Sequence, residues 1–234
     1  MSIQLSHIDK SYQELSIYRD FSLKLPENTI SCILGPSGCG KTSLLNMIGG
    51  IIQQEGGYIS GLEKKEISFI FQEPRLLPWK TVRSNLLFVL HNQPVADKDK
   101  IIDNNLGMVG LQAFAHYYPG QLSGGMKQRV AIARAFCYPS DIILMDEPLK
   151  TLDPRLKWNL MKTFLTIWKK DQRTVVFVTH DVEEALVLGE EIFIFSQPPV
   201  KIKRRLTNPL EEEQKKMDSR AFFDLKKEIL QQLD

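Results

Sequence analysis

The chain has 234 residues, 43% hydrophobic and 25% charged, with 30 Lys and Arg against 28 Asp and Glu for a formal net charge of +2. These values describe an ordinary soluble globular protein, exclude fibrous and disordered classes, and give no ground for nucleic-acid binding. Cys32, Cys39 and Cys137 have no metal-ligand spacing, which points to reduced thiols in a cytosolic protein rather than to a disulfide framework.

Met1 to Lys10 is polar and mixed, unlike a secretory leader. The longest apolar runs, Leu86 to Leu90 and Val175 to Val178, fall far short of the roughly 18 residues a membrane helix needs, so a membrane role is expected to pass through a partner. Patches of alternation between Ser2 and Leu25 predict antiparallel strands. Tyr12 lies between two of them, either as a platform for an adenine ring or as a half-buried strand-end tyrosine.

From Thr29 to Ile48 an apolar strand (Ile30 to Leu34) meets a glycine-rich turn, and the turn meets a helix from Ser43. Gly35, Gly40, Lys41 and Thr42 fit G-x-x-x-x-G-K-[ST], a pattern whose backbone N–H groups and following helix N-terminus cradle phosphates. In that pattern the lysine reaches the outer phosphates and the hydroxyl can ligate Mg²⁺. Cys39, inside the loop and near a helix N-terminus, is expected to have a lowered pKa and to be alkylated with loss of activity.

Glycine pairs at 49–50 and 56–57 bracket a turn, Tyr58 to Gly61 resembles a short hairpin, and Ile67 to Phe71 reads as a strand ending in Gln72. Two prolines keep the segment Glu73 to Trp79 out of a regular helix, leaving an apolar loop that is either a docking surface or is tucked into its own core. Val82 to Tyr138 turns helical, with breaks near Pro94 and at Tyr117 to Gly120, and reads as an inserted helical subdomain. Its last helix opens at Leu122-Ser123-Gly124-Gly125, where Ser123 reads as an N-cap and the glycines leave amides at a helix N-terminus, a second anion site.

Asp141 to Met145 suits a central parallel strand and ends in Asp146-Glu147, two carboxylates that a metal or a proton-transfer task would justify. A helix from Arg155 to Lys170 follows, then a strand at Thr174 to Thr179 ending in His180, a helix at Val182 to Leu188 and a strand at Ile192 to Phe195. The basic run Lys201 to Arg205 reads as a solvated turn, and the amphipathic tail Pro209 to Asp234 as a packed C-terminal helix in preference to a membrane-surface helix. Alternating strands and helices predict an α/β fold with ligand at the carboxyl edge of the sheet.

These residues resemble, in order and over nearly the whole chain, the ATP-binding cassette ATPases of ABC transporters. Gly35 to Thr42 looks like the Walker A motif, Leu122 to Arg129 like the ABC signature, and Ile142 to Pro148 like Walker B. Gln72 resembles the Q-loop glutamine, Asp153 the D-loop aspartate and His180 the switch histidine. Phe71 to Leu86 is similar to the Q-loop region of nitrate/sulfonate/taurine-type importers, a group that includes carriers of vitamin precursors. Only 31 positions separate Lys41 from Gln72, and Lys150-Thr151 stands where small residues are usual.

The resemblance implies a P-loop α/β fold of the ABC type: a mixed-sheet core over residues 1–72 and 141–234 with N-terminal antiparallel strands, a Q-loop and helical subdomain over 73–140, and a helical tail over 205–234. It implies ATP and Mg²⁺ as cofactors, a head-to-tail homodimer in the ATP-bound state, a membrane permease docked at the Q-loop region, and an extracytoplasmic substrate-binding protein acting indirectly, at the cytoplasmic face of the cell membrane. Gly35, Pro36, Ser37, Gly38, Cys39, Gly40, Lys41, Thr42 and Ser43 would hold the phosphates, with Tyr12 (Tyr18 as fallback) on the adenine. Thr42, Gln72 and Asp146 would serve Mg²⁺, Glu147 would be the general base, and His180 would hold the γ-phosphate. Ser123, Gly124 and Gly125 would complete the opposite site, and Asp153 would support communication across the dimer. Rival readings are an exporter or lipoprotein-release ATPase and a soluble non-transport cassette.

Overall fold

Strands β1 (Ile3–Tyr12), β2 (Leu15–Leu25) and β3 (Ile30–Leu34) lead into α1 (Lys41–Ile48), followed by β4 (Gly56–Ser60), β5 (Ile67–Ile70), α2 (Val82–Leu90) and α3 (Lys98–Met108). Then come α4 (Gly124–Cys137), β6 (Ile142–Asp146), α5 (Pro154–Asp171), β7 (Thr174–Thr179), α6 (Val182–Leu188), β8 (Glu191–Phe195), β9 (Ile202–Thr207) and α7 (Arg220–Leu233). The computed structural model describes residues 2–150, 152–215 and 219–233. Thr151 and part of the tail reading, residues 216–218 and 234, lie outside the described residues. The chain divides into two compact units, Met1–Lys65 with Gln172–Asp234, and Glu66–Asp171.

In the first unit, β1 pairs antiparallel with β2 and with β4 in a three-stranded sheet, as the alternation near the N-terminus predicts. A second sheet places β3 between β7 and β8, both parallel to it, and β9 antiparallel beside β8. Every residue of β3, β7 and β8 is buried, which explains their continuous apolar runs: strands covered on both faces need no polar side. The register pairs Leu34 with both Thr179 and Ile194. The loop after β3 and the residue after β7 therefore leave the sheet side by side at its carboxyl edge.

Residues 201–205, read from sequence as a solvated turn, belong largely to strand β9. Its burial alternates along Ile202–Thr207, so Ile202, Arg204 and Leu206 share one face. Three charges in succession, Lys203 to Arg205, masked this period, and they suit an edge strand, where cationic side chains discourage pairing with another chain. Arg205 meets Glu191 at 2.7 Å, and Arg204 meets Glu228 on α7 at 2.6 Å. Of the apolar stripe read in the tail, Phe222, Leu225 and Ile229 of α7 are buried, whereas Phe223 is exposed and the helix begins only at Arg220.

In the second unit, β5 and β6 pair in parallel, with Ile70 opposite Met145, so Gln72 and Asp146 follow from the same end of the pair. Helix α4 packs against α2, α3 and β5, burying Val130, Ala133 and Phe136. The ring of Phe136 meets that of Phe164 on α5 edge-on at 5.3 Å. Short 3₁₀ turns at Gln112–Phe114 and Pro119–Gln121 carry the chain from α3 to α4.

Candidate functional site

On the first unit, the phosphate-loop residues occupy the turn between β3 and α1. Helix α1 has no side-chain cap; its N-cap is Gly40, at φ +102°. That position requires glycine on two counts, since the backbone is in a region L side chains avoid and a Cβ would stand 2.4 Å from Cγ2 of Ile17. The first-turn amides, which have no intrahelical acceptor, thus face the loop together with the positive end of the helix. Lys41 is buried, and its Nζ donates to the carbonyls of Gly35 at 2.7 Å and Pro36 at 2.8 Å, which fixes the ammonium inside the loop. Ser37, Gly38 and Thr42 are exposed.

Two tyrosines compete for the adenine role, and the fold separates them. Tyr18 is 1% exposed and its hydroxyl donates to the Gly40 carbonyl at 2.9 Å, so it backs the loop and has no ring face for a ligand. Tyr12 is 46% exposed, and its hydroxyl lies 3.1 Å from Oγ of Ser43 in α1. The polar end of an exposed aromatic is thereby tethered to the phosphate-loop helix.

Cys39 overturns the expected activated thiol. It is completely buried, and burial raises its pKa; the nearby Lys41 ammonium, 3.9 Å from Sγ, pulls the other way but is the smaller effect. A cationic neighbour lowers a thiol pKa and removal from water raises it, and for this fully buried sulfur the loss of water is the larger of the two.

His180 is exposed at the end of β7, directly before α6. The turn that carries it is fixed on both sides. Oδ1 of Asp181 accepts from the amides of Glu183 at 2.8 Å and Glu184 at 3.4 Å, and the Thr179 hydroxyl donates to buried Glu184 at 2.7 Å. Glu184 carried no signal in the sequence beyond its place in the first turn of a short helix.

On the second unit, Asp146 is buried at the end of β6 and Glu147 follows at φ +43°, a left-handed conformation that is uncommon for a non-glycine residue. Lys150 Nζ lies 2.8 Å from Glu147 Oε2. Asp153 Oδ1 accepts from the Leu156 amide at 3.0 Å, a cap for α5. Ser123 Oγ accepts from Met126 N at 3.3 Å, the predicted N-cap of α4, and both Ser123 and Gly124 are exposed.

The apolar loop beyond Gln72 is held by residues that sequence reasoning missed. Asn85, fully buried in α2, accepts from the Leu77 amide at 2.8 Å and donates to the carbonyls of Leu77, Lys80 and Thr81 at 3.0–3.2 Å. Arg134 donates to the carbonyls of Arg75 and Pro74, and the Arg75 guanidinium sits 3.8 Å from the centre of the Phe71 ring. So anchored, the loop presents Trp79, 71% exposed; Phe88, Tyr117 and Tyr118 of the same unit are exposed as well. A polar residue at a position that the helical period marks as inward is the signal that could have found Asn85.

Comparison with known proteins places these features. A family model described as ABC transporter matches residues 18–150. The aliphatic sulfonates import ATP-binding protein SsuB of Bacillus cereus is 35% identical over 245 aligned positions, covering 100% of this chain and 96% of that protein. The taurine import ATP-binding protein TauB of Roseobacter denitrificans is 40% identical over 82% of this chain and 74% of its own length. Among solved structures, the dimeric bacterial ABC transporter cassette MJ0796 superposes with a TM-score of 0.79 at 29% identity, over 89% of this chain and all of that one.

Proposed function

The chain belongs to the ABC transporter family of ATP-hydrolysing subunits, and from that premise we propose that it powers import of a small solute of the sulfonate, taurine, nitrate or vitamin-precursor class through a membrane permease. The observation that carries the nucleotide reading is the loop around Lys41: an ammonium fixed by two loop carbonyls beneath an uncapped helix N-terminus. Import rests on the likeness to SsuB and TauB. No helix among the described residues is long and apolar enough to cross a membrane, which fits a peripheral subunit on the cytoplasmic face.

Residue by residue, Gly35 to Ser43 receive the phosphates, with Lys41 on the outer ones, and Tyr12 receives the adenine ring. The donors proposed for Mg²⁺ suit that ion: Thr42 hydroxyl, Asp146 carboxylate and Gln72 amide oxygens are hard ligands, and Mg²⁺ keeps water and phosphate oxygens in the rest of its shell. When bound, it would neutralise charge on the phosphates. Glu147 accepts the proton of the attacking water, and His180 donates to the γ-phosphate. The exposure of Ser123 and Gly124 supports the pairing of two copies head to tail, each lending its Ser123 to Gly125 turn to the other's nucleotide, with Asp153 coupling the two sites. A functional division into a core of 1–72 and 141–234, an arm of 73–140 and a tail of 205–234 accompanies this reading. The loop from Gln72 to Trp79 is the surface proposed for the permease, with the solute-binding protein acting on the permease from the far side.

The test is phosphate release by the purified chain and by Glu147→Gln. Loss of general-base catalysis should lower turnover by about 10²–10⁴ while ATP still binds and a dimer accumulates. Unimpaired turnover in that variant would refute the assignment of the base.

A further inference from the structure

We propose that Lys150 is a positioning residue for hydrolysis, holding one oxygen of Glu147 so that the other is offered to water. The inference rests on Glu147 being the general base. Its starting point is an unusual residue in an unusual place: a lysine two positions ahead of Leu152, where the family resemblance leads one to expect a small side chain.

Lysine side chains ordinarily extend into solvent and give up about 2 kcal/mol of rotamer freedom when held. This one turns back over its own chain. Nζ stands 2.8 Å from Oε2 of Glu147, with the lysine side chain 46% exposed and the glutamate 11%. The contact is an ion pair lying off the hydrogen-bond axis, which an ammonium tolerates because it acts as a compact point charge. The same four residues are closed by the backbone, the Lys150 amide donating to the Glu147 carbonyl at 3.3 Å. Main chain and side chain therefore tie the same two residues together.

Glu147 needs such restraint for two reasons. Its φ of +43° costs a non-glycine residue on the order of 1–2 kcal/mol, so its conformation persists only if the surroundings impose it. Its terminal torsion is of the broad, roughly two-fold kind, which leaves the two carboxylate oxygens interchangeable unless something distinguishes them. A general base must present one oxygen at 2.6–3.2 Å from the water it deprotonates. By engaging Oε2, the Lys150 ammonium makes the two carboxylate oxygens inequivalent. No charge is transferred in this role; the proton passes from water to Glu147.

The test uses the full chain with Lys150→Met, which keeps length but removes charge, and Lys150→Arg, which keeps charge. Lys150→Met should lower kcat about ten- to thirtyfold with KM for ATP within about twofold, because misplaced catalytic groups lose rate without losing substrate binding. Lys150→Arg should recover most of the loss. Placed in the Glu147→Gln background, Lys150→Met should have no further effect, since its target is gone; a merely structural role would give the same fold-loss in both backgrounds. Unchanged or increased kcat in Lys150→Met, with an unchanged thermal midpoint, overturns the inference, and so does an additive loss in the double variant. If Glu147→Gln itself turns over normally, the base assignment falls and this inference falls with it. An inactive Glu147→Gln beside a fully active Lys150→Met removes only the role of Lys150.

Discussion

Replacing Tyr12 with alanine should weaken ATP binding and leave the fold intact. A base stacked on an aromatic ring is worth about 1–3 kcal/mol by alanine substitution. At about 1.4 kcal/mol per tenfold, the dissociation constant should rise roughly 5- to 150-fold. The hydroxyl is a separate matter. It meets Ser43 Oγ at 3.1 Å on a side chain that is nearly half exposed, where water substitutes readily, so Tyr12→Phe should change affinity by less than about threefold. Tyr18 behaves in the opposite sense: Tyr18→Phe removes one of two donors to the Gly40 carbonyl, which still accepts from the Leu44 amide at 3.0 Å, at a cost of about 0.5–1.5 kcal/mol of stability, and any loss of ATP affinity follows from the loosened loop. Calorimetric titration with ATP, paired with thermal unfolding of the nucleotide-free proteins, separates the cases. Tyr12→Ala binding ATP within twofold of the parent, or Tyr12→Phe being as weak as Tyr12→Ala, would refute the stacking role.

Gly40→Ala combines a forbidden backbone with a 2.4 Å collision against Ile17 and should cost about 2–4 kcal/mol in urea unfolding; Ile17→Ala added to it should return part of that loss, and failure to do so would locate the strain elsewhere. Asn85→Leu takes the side-chain partner from the Leu77 amide and the Lys80 carbonyl, while the Leu77 and Thr81 carbonyls keep the Lys80 and Asn85 amides, and should destabilise the second unit by roughly 2–5 kcal/mol, seen as early proteolysis near Trp79 with ATP affinity preserved; a protease-resistant loop would contradict this. Burial raises the pKa of Cys39, Cys32 and Tyr18, from ordinary values of 9.0 for the thiols and 10.0 for the phenol. The folded state therefore keeps protons that the unfolded chain releases, so stability is whole below about pH 9 and declines as pH rises beyond it. Midpoints measured between pH 7 and 10.5 should fall at the alkaline end, and iodoacetamide should modify Cys39 slowly at pH 7 in the native protein; fast labelling would show the thiol to be accessible.

Much of this was legible in sequence because the signals were local. The apolar runs of β3, β6 and β7 and the turn residues around Gly40 and Ser123 each declare themselves within a few positions, and the side chains with chemistry stand at the ends of those runs. What escaped was nonlocal. Strand β9 was hidden because the run Lys203 to Arg205 blurs an alternation that only β8 and α7 give meaning to. The depth of Cys39 depends on the packing of the turn, so a rule that weighs charge alone gave the wrong sign for its pKa. Asn85 reads as an ordinary polar helix residue until the loop it serves is folded beside it. Lys150 was visible as an oddity, but its target was not, because the left-handed turn at Glu147 has no glycine to announce it.

The hydroxyl of Tyr18 links residues 22 positions apart, joining the hairpin of β1 and β2 to the carbonyl of Gly40. A fragment starting at the first residue of β3 would keep every letter of the glycine-rich motif and yet lack the wall against which that turn is cast. Transplanting the eight-residue motif onto another scaffold should therefore fail unless the preceding ribbon travels with it: the smallest portable receptor for phosphate in this protein begins near Ile3, well upstream of its own signature.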